Sequence, residues 1–398
     1  MADLIPRGGQ YVKQPSGYRA FMPASLPPMP ALNIDGSLIA LLSRADQAVG
    51  RLDGVTQTLP NPNLFVAMYV RREAVFSSQI EGTQSTLEDV LTFELDPRGQ
   101  SLPQDVEEVV NYVRAMNYGL DRLTTLPLSL RLIREIHAEL LRDGRGAEKH
   151  PGEFRTTQNW IGSASASISQ ATFVPPPATE VPALLSNLEH FLHGSDELPV
   201  LIRCGLAHVQ FETIHPFLDG NGRVGRLLIT FLLVHQGVLH RPLLYLSYYL
   251  KRHRAEYYDR LMAVRETGNW EAWLRFFLRG VAETAEEATT TATAIISLRE
   301  AHREVIQQHN LGINGLRLLD LLFQRPLVNI TLITEQLGVV YVTANRLVEQ
   351  FVKIDLLREI TGGQRFRIFR YDPYWELFEE TVAIGDSEIA LQITATDV

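Results

Sequence analysis

The run Leu227–Val234 is apolar at every position except Thr230, and it follows closely on a glycine-rich turn, Asp219-Gly220-Asn221-Gly222. A helix that is apolar nearly all round must be covered on every side, by protein or by lipid. Lipid is excluded, because crossing a bilayer takes ~20 such residues. The run therefore predicts a central helix in a mainly α core, capped by Gly237. Its glycine-rich start opens onto whatever the fold gathers there.

Helical patterns surround it. One runs from Ser37 to Arg51, with Leu38, Ile39, Leu41 and Leu42 on its apolar side, after a loop-rich start broken by Pro27, Pro28 and Pro30. A second follows Asn61-Pro62-Asn63, carries Phe65, Met68, Tyr69 and Phe76, and ends near Glu81-Gly82. Ser85 to Leu95 and Asp105 to His137 are helical too, the latter interrupted at Pro127. Ile202, Leu206 and Val209 recur at i, i+4 and i+7, so that helix buries one face. Glu256–Thr267 and Trp270–Arg299 are long helical stretches.

The segment Pro151–Pro177 differs. It holds Gly152, Gly162, a Ser/Ala alternation over 163–169 and three consecutive prolines. This reads as a long loop with short strands around Phe154-Arg155 and Thr172-Phe173-Val174. Loops of this length inside a compact domain are usually functional.

From Leu311 the texture changes again. Three short helices, Leu316–Phe323, Thr331–Leu337 and Val342–Ile354, precede two strand-like runs, Leu356–Ile360 and Phe366–Phe369, joined through Gly362-Gly363. Three helices and a hairpin make a winged helix-turn-helix. The expected units are an N-terminal helical region 1–105, a core 106–300, a winged helix 301–372 and a tail 373–398.

Charge narrows the partners. Across 398 residues, 37 Lys and Arg stand against 46 Asp and Glu, a net charge of −9, which gives no overall pull toward nucleic acid or anionic membrane. Residues 311–372 alone hold eight Lys or Arg and six Asp or Glu. Cys204 is the one cysteine and forms neither an internal disulfide nor a thiolate cage. The N-terminus lacks a basic stretch followed by an apolar core, so a cytoplasmic location is expected.

The chemistry concentrates in residues 215–226. The glycines of the turn let backbone amides approach a ligand. The helix starting near Gly222 aims its free N–H groups and positive dipole end at the same spot, which is an anion site suited to phosphate. Arg223 and Arg226, three apart on one helix, can both reach such phosphates. Asp219 supplies the hard oxygen that Mg²⁺ on a polyphosphate requires. His215 titrates near neutrality and can serve as general base. A merely structural turn has no need of a base, a hard ligand and two guanidinium forks together.

This stretch resembles the signature of the Fic family, His-x-Phe-x-Asp/Glu-Gly-Asn-Gly-Arg-x-x-Arg, and every defined position matches. The likeness extends from about residue 20 to 300. Gly152-Glu153-Phe154-Arg155 through Phe173-Val174-Pro175-Pro176 looks like the family's β-hairpin flap. Tyr257-Tyr258 lies where Fic proteins have a helix bordering adenine.

The resemblance implies a helical core that transfers AMP from ATP to a Ser, Thr or Tyr hydroxyl of a target protein, the chain itself included. On that implication His215 takes the hydroxyl proton and Asp219 holds Mg²⁺. Gly220, Asn221, Gly222, Arg223, Val224, Gly225 and Arg226 line the phosphates, and Tyr257 borders the base. Thr172, Phe173 and Val174 of the flap pin the target by main-chain pairing. Ser77-Ser78-Gln79-Ile80-Glu81-Gly82 resembles the family's inhibitory pattern, Ser/Thr-x-x-x-Glu-Gly/Asn. It implies that Ser77, Glu81 and Gly82 form a brake in which the Glu81 carboxylate pairs with Arg226.

Other readings stay open. The same site supports AMP removal or transfer of another phosphate-linked group. The winged helix makes a DNA-binding regulator the competing function, with Thr343, Asn345, Arg346, Glu349, Gln350 and Lys353 on the polar side of its third helix and Arg358, Arg365, Arg367 and Arg370 on the hairpin. A second copy of the chain is a further partner considered. His208 reads as a packed histidine, and Trp160, Trp270, Trp273 and Trp375 as packing residues.

Overall fold

The computed structural model describes residues 7–57, 62–97, 102–162, 167–194, 198–362 and 367–378. The chain is mainly α-helical. It opens with an antiparallel hairpin, β1 (Gly9–Lys13) and β2 (Arg19–Pro23), with Tyr11 opposite Phe21. Helices α1 (Gly36–Gln57), α2 (Pro62–Ile80), α3 (Leu87–Leu95), α4 (Val106–Arg122) and α5 (Leu130–Leu140) follow. After a long connection come α6 (Val181–His193), α7 (Val200–Ile214), α8 (Asn221–His235), α9 (Ser247–Arg252), α10 (Arg254–Thr267) and α11 (Trp270–Gln308).

Local chemistry sets several ends. Thr86 and Asp89 form a reciprocal capping box on α3. Ser129 and Asn269 accept the early N–H groups of α5 and α11. Gly268 ends α10 in the left-handed conformation.

α8 is the buried centre. Val224, Leu227, Ile229, Phe231, Leu232 and Leu233 are all buried, enclosed by α7, α4, α5 and α2. α1 lies along α11. This arrangement fixes the start of α8 where the ends of α2 and α7 converge.

The C-terminal unit comprises α12 (Gly312–Gln324), β3 (Leu327–Val328), α13 (Ile330–Leu337), α14 (Tyr341–Lys353), β4 (Arg358–Glu359) and β5 (Phe369–Arg370), with sheet order β3-β5-β4. It does not hang free. α12 packs on α2 and α11. The Phe378 ring meets Tyr69 of α2 edge-on at 5.5 Å, and Arg370 reaches Glu88 of α3 at 3.4 Å.

Several boundaries differ from the sequence pattern. α1 runs on to Gln57, and α11 passes through residue 300 unbroken to Gln308, because heptad-like apolar spacing continues along the face that α1 and α12 cover. The unit boundary expected at 300/301 thus falls inside a helix. Phe154-Arg155 forms no strand; the flap pairs through an Ile161–Phe173 bridge instead. The loop-rich start contains β1 and β2. Residues 163–166 of the Ser/Ala stretch, Gly363, Arg365 and Phe366 of the wing, the Phe65 side chain and the tail after Phe378 lie outside the described residues.

Candidate active site

α7 ends at Ile214, and His215 turns left-handed at φ 50°, ψ 60°. A non-glycine residue in that region is strained and must be held by its surroundings. Arg155 supplies much of the hold. Its Nε donates to the His215 carbonyl at 2.9 Å and its Nη2 to those of Ile214 at 3.3 Å and Pro176 at 2.6 Å. Asn159 Nδ2 donates to the carbonyl of Phe217 at 2.8 Å.

The turn is closed from within. Asn221 Oδ1 accepts from the Phe217 N–H at 2.8 Å, and its Nδ2 donates to the Phe217 carbonyl at 2.9 Å. The Asn221 side chain is therefore spent on loop closure, and only its backbone is left for an anion. Gly220 takes φ 75°, which a side chain would resist. The first N–H groups of α8 have no partner within the helix.

The two arginines diverge. Arg226 Nε donates to Ser77 Oγ at 2.8 Å, and Nη2 donates to the Ser77 carbonyl at 2.9 Å and to Glu81 Oε1 at 2.7 Å. Arg223 turns the other way, with Nη1 3.3 Å from Glu108 Oε2 and Nη2 3.6 Å from Asp219 Oδ1. The expectation of two guanidiniums on one ligand thus meets a structure in which each is engaged by carboxylates. A Cβ on Gly222 would lie 2.2 Å from Glu81 Oε1, so this carboxylate sits directly over the first turn of α8. Burial pushes the Glu81 carboxyl up, but the charge and hydrogen bond of Arg226 outweigh it and leave the group below its ordinary range.

His215 is neutral at physiological pH. Burial, then the charges of Arg265 and Arg155, push its imidazole down to about 4. Its Nδ1 is buried without a hydrogen-bond partner among the described residues. Asp219 keeps 28% of its side chain exposed, and its Oδ1 accepts from the Gly220 N–H at 2.6 Å.

Several other expected site residues are buried. Val224 is core. Tyr257 is 1% exposed and its hydroxyl is bonded to His208 Nε2 at 2.9 Å, whereas Tyr258 is 40% exposed. Adjacent helical residues point about 100° apart, so one ring is buried and the other open to solvent, and both act electrostatically on Arg226. Phe173 and Val174 are buried, not a free edge, because the N-terminal hairpin covers them.

Sequence reasoning missed three residues. His137 stacks on Phe217 at 3.7 Å and 4°, accepts from the Gly152 N–H at Nδ1, and binds the Asp219 carbonyl through Nε2. Arg265 grips the last turn of α7, on which Glu212 lies, and burial raises the Glu212 carboxyl to about 7. Nothing in their local sequence marks them; they become visible through tertiary contact alone. Among the described residues, no group of three or more His, Cys, Asp or Glu is placed to hold a metal.

Comparison with known proteins agrees with this geometry. Residues 39–121 match the Fic/DOC family N-terminal domain, residues 127–233 the Fic/DOC family, and residues 316–369 an HTH DNA binding domain. Proteins named protein adenylyltransferase Fic from Drosophila grimshawi and Drosophila virilis are 31% and 30% identical over 228 residues, 54% of this chain. The match spans 42% of each relative's length. The crystal structure of a Fic family protein from Desulfovibrio desulfuricans is similar with a TM-score of 0.55 and 19% identity, covering 85% of this chain and 97% of that one. A Fic domain-containing signaling protein from Bacteroides thetaiotaomicron gives 0.50 at 19% identity, covering 63% and 97%. At such identity these two likenesses speak for the fold.

Proposed function

This chain belongs to the Fic/DOC family, and from that premise we propose that it is a protein adenylyltransferase held inactive by Glu81. The observation that carries this reading is the Glu81 carboxylate lying over the start of α8 and bonded to Arg226 at 2.7 Å. A helix N-terminus with a neighbouring guanidinium is an anion site. The protein's own carboxylate fills it where a phosphate would lie. ATP as the substrate is supported by the names of the relatives.

With ATP bound, His215 accepts the proton of a target hydroxyl. The hydroxyl oxygen forms a bond to the α-phosphorus as the bond to pyrophosphate breaks, leaving AMP on the target. The backbone N–H groups at the start of α8 face the charge that develops on the phosphate. A base held neutral suits this step, because an imidazolium accepts no proton. The nucleoside would border Tyr258, the exposed member of the tyrosine pair.

Asp219 fits Mg²⁺ in one respect: its carboxylate is partly exposed at the mouth of the anion site. Single carboxylates hold Mg²⁺ jointly with substrate phosphates. Bound there, the ion would neutralise phosphate charge.

The C-terminal unit supports DNA as a second partner, through its match and the exposed Tyr341, Val342, Thr343 and Arg346 of α14. Its wing is largely self-neutralised, since Arg358 and Arg370 pair with Asp372, and Arg367 with Glu359. Retention on DNA that falls steeply with salt tests this partner.

The deciding experiment for the enzyme is intact-mass analysis after incubation with ATP and Mg²⁺, using the parent, Glu81→Gly and Glu81→Gly with His215→Ala. Gain of AMP by the Glu81→Gly chain, and its loss with His215→Ala, is expected. Absence of AMP transfer from Glu81→Gly overturns the reading.

A further inference from the structure

Two buried arginines grip the last turn of α7 without a carboxylate partner among the described residues. Arg155 binds the carbonyls of Ile214 and His215. Arg265, on α10, donates through Nε to Thr213 Oγ1 at 3.2 Å and through Nη2 to the Glu212 carbonyl at 3.2 Å. Its guanidinium lies 3.9 Å from the centroid of the Phe173 ring in the flap. Cations at a helix C-terminus satisfy orphan carbonyls and the dipole. Burying a charge without a counter-ion is nonetheless costly. Arg265 is 5% exposed, and a packing role alone would be filled as well by an apolar side chain.

The contacts place Arg265 between three parts of one reaction. It touches the segment that ends in His215, it stacks on the flap, and its charge acts on the imidazole. The other charged groups around His215 are Arg155 of the flap, Glu81 at the end of α2, and Glu212 on α7 itself.

We propose that Arg265 is a positioning residue for transfer: it ties the end of α7, and with it His215, to Phe173 of the flap. Burial is the larger cause of the depressed imidazole, and the Arg265 charge adds to it. The inference rests on the reading of His215 as proton acceptor. It makes base and flap one unit, so a target that displaces the flap at Phe173 also shifts the base. The two roles separate chemically. Lysine at 265 keeps the charge but cannot reproduce the forked bonds, and methionine keeps neither.

The test uses the full chain carrying Glu81→Gly, with Arg265→Lys or Arg265→Met added. The pH dependence of AMP transfer is measured, and the His215 imidazole is titrated by NMR. Arg265→Met should move the imidazole midpoint up from about 4 by the part that Arg265 contributes, while burial and Arg155 still hold it below the ordinary range. The acid limb of the rate should move with it. Both variants should lose about 10- to 100-fold in kcat from misplacement, with KM for ATP unchanged. Arg265→Lys should titrate as the parent does. Parental kcat in Arg265→Lys, or an unmoved titration in folded Arg265→Met, overturns the proposal. If Arg265→Met does not fold, the lysine variant still decides through its kcat. Should Glu81→Gly transfer no AMP at any pH, the adenylyltransferase reading fails, while the titration still decides the role of Arg265.

Discussion

The backbone N–H of Phe21 donates to the carbonyl of Val174 at 2.9 Å. Phe21 belongs to β2, so the N-terminal hairpin extends the flap sideways, in the order Ile161, Phe173-Val174, β2, β1. Phe21 is fully buried between Tyr11 at 5.1 Å and Phe173 at 5.9 Å. One edge of the expected docking strand is therefore taken by the chain itself.

Phe21→Ala should cost about 3–5 kcal/mol of stability, the usual range for emptying a buried phenylalanine site. It should also speed amide exchange at Ile161 and Phe173, whose mutual bonds are 2.8 and 3.1 Å. Chemical denaturation and hydrogen exchange check both. Unchanged exchange at those two amides would mean that the hairpin packs beside the flap without supporting it.

Removing residues 311–398 should leave a chain that still transfers AMP in the Glu81→Gly background, because His215 and the start of α8 lie upstream. The contacts of α12 and Phe378 with α2 add a consequence that the sequence did not carry. Truncation uncovers Tyr69 on the helix whose end bears Ser77 and Glu81, so the melting temperature should fall. The otherwise unmutated truncated chain should gain transfer activity over its parent, because the brake helix has lost its support. Intact mass and thermal melts of the parent and truncated chains check this, and an unchanged parental rate would mean that α2 holds its position alone.

Much of this was legible in the sequence, for a physical reason. The apolar run in α8 and the turn before it are local, so their pattern carries the buried helix and the glycine turn that opens it. Glu81 and Arg226 were separately legible, each on its own short motif. Contacts without a local signature were not. Arg265 and Thr213 are 52 positions apart, and His137 and Asp219 are 82 apart; Asp219 belongs to the motif, but Arg265, Thr213 and His137 carry no signal that would point to their partners. Which of Tyr257 and Tyr258 is buried turned on helix phase, which depends on what α10 packs against. β1 and β2 are five residues each, too short for alternation to stand out beside the prolines that follow.

The pH dependence of stability should carry the mark of Glu212. Burial first holds its carboxyl up at about 7 against an ordinary 4.5. Between those values the unfolded chain releases the proton and the folded one keeps it, so stability contributed by this group falls as pH rises. His137, His208 and His215, pushed down to about 4 chiefly by burial, act in the opposite sense below 6.5. Glu212→Gln removes only the first effect. Relative to the parent it should therefore gain stability steadily from about pH 4.5 to 7, measured by denaturant unfolding across that range. A pH-independent difference would show that Glu212 is ionised in the fold.

Glu81→Gly should raise AMP transfer, and the gain should depend on Arg226. The carboxylate and a phosphate compete for one guanidinium and one helix end, so removing the first opens the site to the second. Hydrogen bonds to charged groups contribute roughly 1.5–3 kcal/mol. Glu81 keeps 36% of its side chain exposed, and solvent screening draws the value toward the lower end. About tenfold in ATP affinity or rate follows. Arg226→Ala should lower activity in either background, because the donor fork for phosphate is gone. Adding Glu81→Gly to Arg226→Ala should then recover little, since the carboxylate no longer has the partner that held it over α8. Acid should mimic the mutation in part. The Glu81 carboxyl lies below its ordinary range, so the pair persists from neutral pH down through 4.5 and is lost only as pH falls through the depressed value. A full cycle of the four chains, assayed for ATP binding and AMP transfer, separates the cases. Equal gains from Glu81→Gly with and without Arg226 would show that the brake works through the charge over α8 alone.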